Sequence, residues 1–120
     1  MTLNETLEKA IAASGGALPP GIELVLRGHI HLWEVIGFRD NRPPQFVLGS
    51  GSTELAHPIK DRLTGLRIAE TVVSFRQSEH LWGFIRFVPA AAGAWTATLG
   101  DEKGRPRAGC TVARGEISCK

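Results

Sequence analysis

Ile22-Glu23-Leu24-Val25-Leu26-Arg27-Gly28-His29-Ile30-His31-Leu32-Trp33-Glu34-Val35-Ile36-Gly37-Phe38 holds two β-rich runs on either side of a Gly-His-x-His motif. Ile22 to Leu26 predicts a strand ending at the motif, and Trp33 to Phe38 predicts a second, because β-branched, leucine and aromatic side chains suit a pleated surface. The histidines are expected at the C-terminal edge of the first strand. Further along, Arg39-Asp40-Asn41-Arg42-Pro43-Pro44 predicts a turn, Gln45 to Leu48 a strand, and Gly49-Ser50-Gly51-Ser52-Thr53 a flexible loop. Residues Ala56 to Ala69 show no clear period. Three more strands are predicted at Thr71 to Arg76, Leu81 to Val88 and Trp95 to Leu99, arranged as a meander, with a turn over Asp101 to Arg107.

On the N-terminal side, Leu3, Leu7 and Ile11 recur at i,i+4 steps with Ala10 beside them, which predicts a short amphipathic helix from Thr2 to Ser14. Thr2 and Glu5 have capping-box spacing, Gly15-Gly16 is a stop, and Pro19-Pro20 prevents resumption. The expected fold is therefore α+β and mostly β: a short N-terminal helix, then antiparallel or mixed strands. A length of 120 residues with 42% apolar residues fits one domain, spanning 1–120.

The net charge of +2 comes from 14 basic and 12 acidic side chains spread along the chain. That distribution makes no basic stripe, so nucleic acid is not an expected partner. No apolar stretch approaches the roughly 18 residues that span a bilayer, and acidic residues stand where a signal peptide needs positive charge. The chain as written reads as soluble, without a membrane partner and without an export signal.

The two cysteines enclose Cys110-Thr111-Val112-Ala113-Arg114-Gly115-Glu116-Ile117-Ser118-Cys119. A two-residue turn at Arg114-Gly115 pairs Ala113 with Glu116, Val112 with Ile117, Thr111 with Ser118, and Cys110 with Cys119. Rungs alternate outward from a tight turn, which puts the cysteines on a non-hydrogen-bonded rung with Cα atoms about 4.5 Å apart, within disulfide reach. The pair is read as a disulfide, which implies a periplasmic or exported parent protein, against two reduced cysteines serving as small apolar side chains.

Histidines two apart on an extended segment project to one face, and neutral imidazoles ligate transition metals, so His29 and His31 are candidate metal ligands. Gly28 lets the backbone pass close to an ion. His57, before Pro58 in a loop, and His80, at the start of a strand, read as surface residues, and Glu34 and Glu54 as solvated ones. Trp33, Trp82, Trp95, Phe75, Phe84 and Phe87 are assigned to the core. The Gly49–Thr53 loop has the glycines of an anion-binding nest but lacks the Lys-Ser/Thr ending of a P-loop.

Residues Arg27 to Glu34, together with Arg42 to Leu55, resemble the last conserved block of calcineurin-like metallophosphoesterases, where a buried strand runs into Gly-His-x-His. The resemblance implies the C-terminal part of a β-sandwich flanked by helices. It further implies a dinuclear divalent metal centre (Mn, Zn or Fe) with His29 and His31 among its ligands, and a phosphoester substrate. Two metal ions clamp a phosphate and activate a bridging water in such centres. The family's upstream Asp-x-His, Gly-Asp-x-x-Asp and Gly-Asn-His-Asp/Glu motifs have no counterpart in the sequence. The expectation is therefore a truncated phosphoester hydrolase that is inactive alone, and self-associates through an exposed strand edge to a homo-oligomer. The alternative is a small non-catalytic β-rich binding module with at most one metal site.

Overall fold

A computed structural model describes residues 5–13, 15, 18–40, 42–58, 60, 63–68 and 71–120. The chain is mostly β, with strands in two sheets. Helix α1, Glu5–Ala13, precedes them. Its polar and alanine positions Glu5, Thr6, Lys9, Ala10, Ala12 and Ala13 are exposed. The expected cap Thr2, the expected last residue Ser14 and Gly16 of the stop signal lie outside the described residues.

The strands are β1 Val25–Arg27, β2 Trp33–Phe38, β3 Gln45–Leu48, β4 Arg67–Ile68, β5 Thr71–Glu79, β6 Gly83–Pro89, β7 Trp95–Asp101, β8 Pro106–Ala113 and β9 Glu116–Cys119. The first sheet has the order β1-β3-β2-β5-β4 and the second the order β6-β7-β8-β9. The second is a pure antiparallel meander. The first is mixed, because β1 runs parallel to β3 (Val25 opposite Gln45, Arg27 opposite Val47) while its other pairs are antiparallel.

The sheets share one core. Trp33 and Val35 of β2 and Phe46 of β3 pack with Ala97 and Leu99 of β7 and with Ala108, Cys110 and Val112 of β8. Phe46 meets Phe87 of β6 edge-on, with ring centroids 5.1 Å apart, a favoured aromatic geometry. At Gly37 β2 comes close to β9 of the other sheet: a Cβ there would stand 2.6 Å from Ile117 Cγ2.

Two sequence assignments are corrected. Trp82 and Phe84 are 49% and 54% exposed, not core residues. Leu81, Ile85 and Phe87 pack inward, whereas Phe84, Arg86 and Val88 point outward from β6, with the Phe84 ring seated over Gly100. Glu34 is not solvated either: its carboxylate accepts from Arg76 Nε at 2.7 Å and lies 2.6 Å from Arg76 Nη2, both side chains being largely buried.

The β7–β8 turn is closed by Asp101, whose Oδ1 accepts the backbone N–H groups of Lys103 (3.0 Å) and Arg105 (2.9 Å). Arg105 Nε donates to Oδ2 at 2.8 Å. The Arg105 amide foremost, acting against desolvation and joined by the Arg105 side chain and the Lys103 amide, holds the carboxyl below its ordinary 3.8. A depressed folded-state pKa stabilises the fold fully above the unfolded value, and the contribution is lost as pH falls through the folded value. Asp101→Asn is thus expected to flatten the acid limb of a thermal-unfolding profile below about pH 4. Burial raises the pKa of Asp40, but the Thr71 hydroxyl at 2.7 Å and nearby backbone amides bring it down below 3.8 on balance, so some slope persists. Equal slopes for wild type and variant would remove the role assigned to Asp101.

Candidate functional site

The β1–β2 connection has to cross the end of β3, because β3 lies between those strands in the sheet. Gly28-His29-Ile30-His31 makes that crossing as a bent segment. His29 has φ +79, and Leu32 N–H donates to Ile30 O at 2.9 Å. Histidine is among the non-glycine residues enriched in the left-handed region. The expectation of two imidazoles projecting together from an extended strand is corrected accordingly: the motif lies beyond β1, on a turn, and both side chains are exposed. Ile30 between them is 51% exposed.

The crossing is packed backbone on backbone against the Gly-rich loop that leaves β3. Gly49 N–H donates to Leu32 O at 3.1 Å, and a Cβ on Gly49 would fall 1.8 Å from Ile30 O. Only glycine admits such an approach. The parallel strands β1 and β3 therefore deliver the histidine turn and the Gly49–Thr53 loop to the same end of the sheet. The two loops are packed side by side there.

Residues 49–58 are tied on their other side to the β5–β6 connection. Ser50 Oγ and Gly83 O are 3.4 Å apart, and Gly83 N–H donates to Ser50 O at 3.2 Å. Trp82 Nε1–H donates to Ser52 O at 2.9 Å. Ala56 joins the two histidine regions: its N–H donates to His31 O at 2.7 Å, and its carbonyl accepts His80 Nδ1–H at 2.9 Å. That bond fixes the proton on Nδ1 and leaves Nε2 of His80 as the basic nitrogen. The His80 ring stacks on His57, with centroids 4.6 Å apart and planes within 4°. His80 follows β5 instead of beginning a strand, and this pairing with His57, across 23 residues of sequence, has no local signal that could have announced it.

Imidazole lone pairs lie in the ring plane, so parallel stacked rings do not aim at one ion. Among the described residues no three His, Cys, Asp or Glu side chains gather into a group able to hold a metal. A closed first shell needs about four ligands, which His29 and His31 alone do not supply. The chain's own described residues therefore do not fit a complete metal centre, and no catalytic step follows from them alone. No protein-family model, curated protein or solved structure matches the chain.

Proposed function

We propose that the chain is the C-terminal portion of a metal-dependent phosphoester hydrolase of the calcineurin-like metallophosphoesterase kind, contributing His29 and His31 as ligands and having no turnover by itself. The observation that carries this reading is the placement of the histidine turn and the Gly-rich loop at the C-terminal ends of two parallel strands, where ligands of open α/β sheets gather. The flank of β1 supports it as well. Parallel strands are normally buried on both faces, yet among the described residues β1 stands at the edge of its sheet, with Leu26 52% exposed and Leu18 and Ile22 also on the surface. Further strands from the same protein, or a second copy, would cover that edge; the isolated chain is therefore a homo-oligomer in this reading, and a monomer at every concentration in sedimentation equilibrium removes that part. The Cys110–Cys119 disulfide supports an exported or periplasmic parent, since such bonds persist in oxidising compartments.

The test is the metal content of the chain after manganese or zinc loading, compared with a His29→Asn/His31→Ala variant; asparagine tolerates the left-handed backbone of position 29. The expected result is weak binding by the wild type, lost in the variant, with neither hydrolysing a chromogenic phosphoester. Metal retention that the variant does not change would sink the ligand assignment. The second reading, a non-catalytic β-rich binding module, draws on the core that the two sheets close between themselves; absence of any metal binding by the wild type would favour it.

A further inference from the structure

We propose that a second site, a cleft of about 300 Å³ at the opposite end of β1 from the histidine turn, binds a single neutral sugar ring. Glu23 and Arg114 bring opposite charges to the cleft, and Ile22, Pro43 and Trp95 supply its apolar surface over the buried Val112. This inference stands apart from the metal reading, since it uses none of the same residues.

The site is built and held. Trp95 Nε1–H donates to Glu23 Oε2 at 2.6 Å, fixing the carboxylate against the indole. The other oxygen, Oε1, faces Gly93, where even a Cβ would stand 3.8 Å away. One rim is the 3-10 turn Ala91–Gly93, clasped by Ala90 N–H to Ala94 O (2.8 Å) and Ala94 N–H to Ala91 O (3.2 Å). Ala92 has φ +57 there and Gly93 φ +73. Alanine gains nothing from a left-handed backbone, which costs it roughly 1–2 kcal/mol, and strain of this kind concentrates at ligand clamps. The opposite rim is the Arg114-Gly115 turn, also left-handed at both residues and anchored by the β8–β9 hairpin.

The chemistry selects the ligand. A free anion would meet Glu23 and a free cation would meet Arg114, so a ligand without net charge is favoured. A carboxylate with a spare oxygen accepts hydroxyl groups, a guanidinium donates to them, and the exposed Ile22 with the half-buried Pro43 and Trp95 offers an apolar side to the C–H face of a pyranose. The volume is at the lower limit of small-molecule sites, which suits one ring and not a long chain.

The experiment is an amide and indole N–H chemical-shift titration of the full chain with methyl glucosides, methyl mannoside, methyl galactoside, N-acetylglucosamine, maltose and cellobiose, each into the tens of millimolar. The expected result is millimolar binding by at least one of them, with shifts centred on Glu23, Gly93, Gly115 and the Trp95 indole N–H. Glu23→Ala should abolish those shifts, and Arg114→Asn, which keeps a residue tolerant of the turn, should weaken binding roughly tenfold through loss of a charge-assisted donor; unchanged spectral dispersion in both shows that the fold survives. The proposal is overturned if no saccharide moves these signals, if Glu23→Ala binds as the wild type does, or if the shifts centre on the outward Trp82 and Phe84 surface instead.

Discussion

Gly49→Ala is expected to lower stability by about 3 kcal/mol, the upper end of what overpacking costs, and to shift the urea midpoint down with little change in m. The added methyl would fall 1.8 Å from the carbonyl oxygen of Ile30 and 3.0 Å from His31 Cα. Both are backbone atoms, so no rotamer change relieves the overlap. Either the Gly28–His31 crossing lifts off β3, or β3 ends one residue early; each route breaks the Gly49 N–H to Leu32 O bond. The same displacement would pull at Ala56, whose N–H is bonded to His31 O. Gly51→Ala is the matched control, because nothing lies within 4 Å of a Cβ there, and its effect should stay within about 0.5 kcal/mol. Equal midpoints for Gly49→Ala and Gly51→Ala would mean that the two loops do not touch as described.

The reach of the sequence can be judged strand by strand. β2 and β3 occupy the predicted Trp33–Phe38 and Gln45–Leu48, because each is a short apolar run closed by turn residues. The final hairpin was legible to the level of register, since the left-handed pair Arg114-Gly115 (φ +52 and +79) sets every rung behind it. The parallel pairing of β1 with β3 was not legible: it joins segments twenty residues apart and leaves no mark in either. β6 lies where a strand was expected, but its facing was misread because Phe84-Ile85-Arg86-Phe87-Val88 is apolar at both parities. Arg86 was the available signal, for the residues two before and two after it share its outward face. At the candidate site, the motif located the histidine turn, but the extended geometry assumed for it gave way to the need to cross β3.

Reducing the Cys110–Cys119 disulfide is expected to cost a little under about 3 kcal/mol, as closing a loop of some ten residues predicts from unfolded-chain entropy. The register argues that the bond sits in its relaxed place: Cys110 lies opposite Cys119, and Gly109 and Lys120 exchange both backbone hydrogen bonds on the next rung (3.0 and 2.8 Å). The cysteines thus occupy the close, non-hydrogen-bonded rung, with Cα atoms 4.0 Å apart. Their sulfurs point to the core face, for Cys110 and Val112 are buried while Thr111 and Ala113 are exposed. Two thiols left there would still pack as small apolar side chains, so the reduced sandwich should remain folded but melt earlier. Cys110→Ala/Cys119→Ala should show a similar loss and no further response to reductant, whereas Cys110→Ser/Cys119→Ser should lose more, because a hydroxyl at position 110 would be buried against Leu99 and Val112 in the same cluster. An unfolding midpoint indifferent to reductant would show that the hairpin is held by its turn and rungs alone, and would withdraw the disulfide's support for an exported parent.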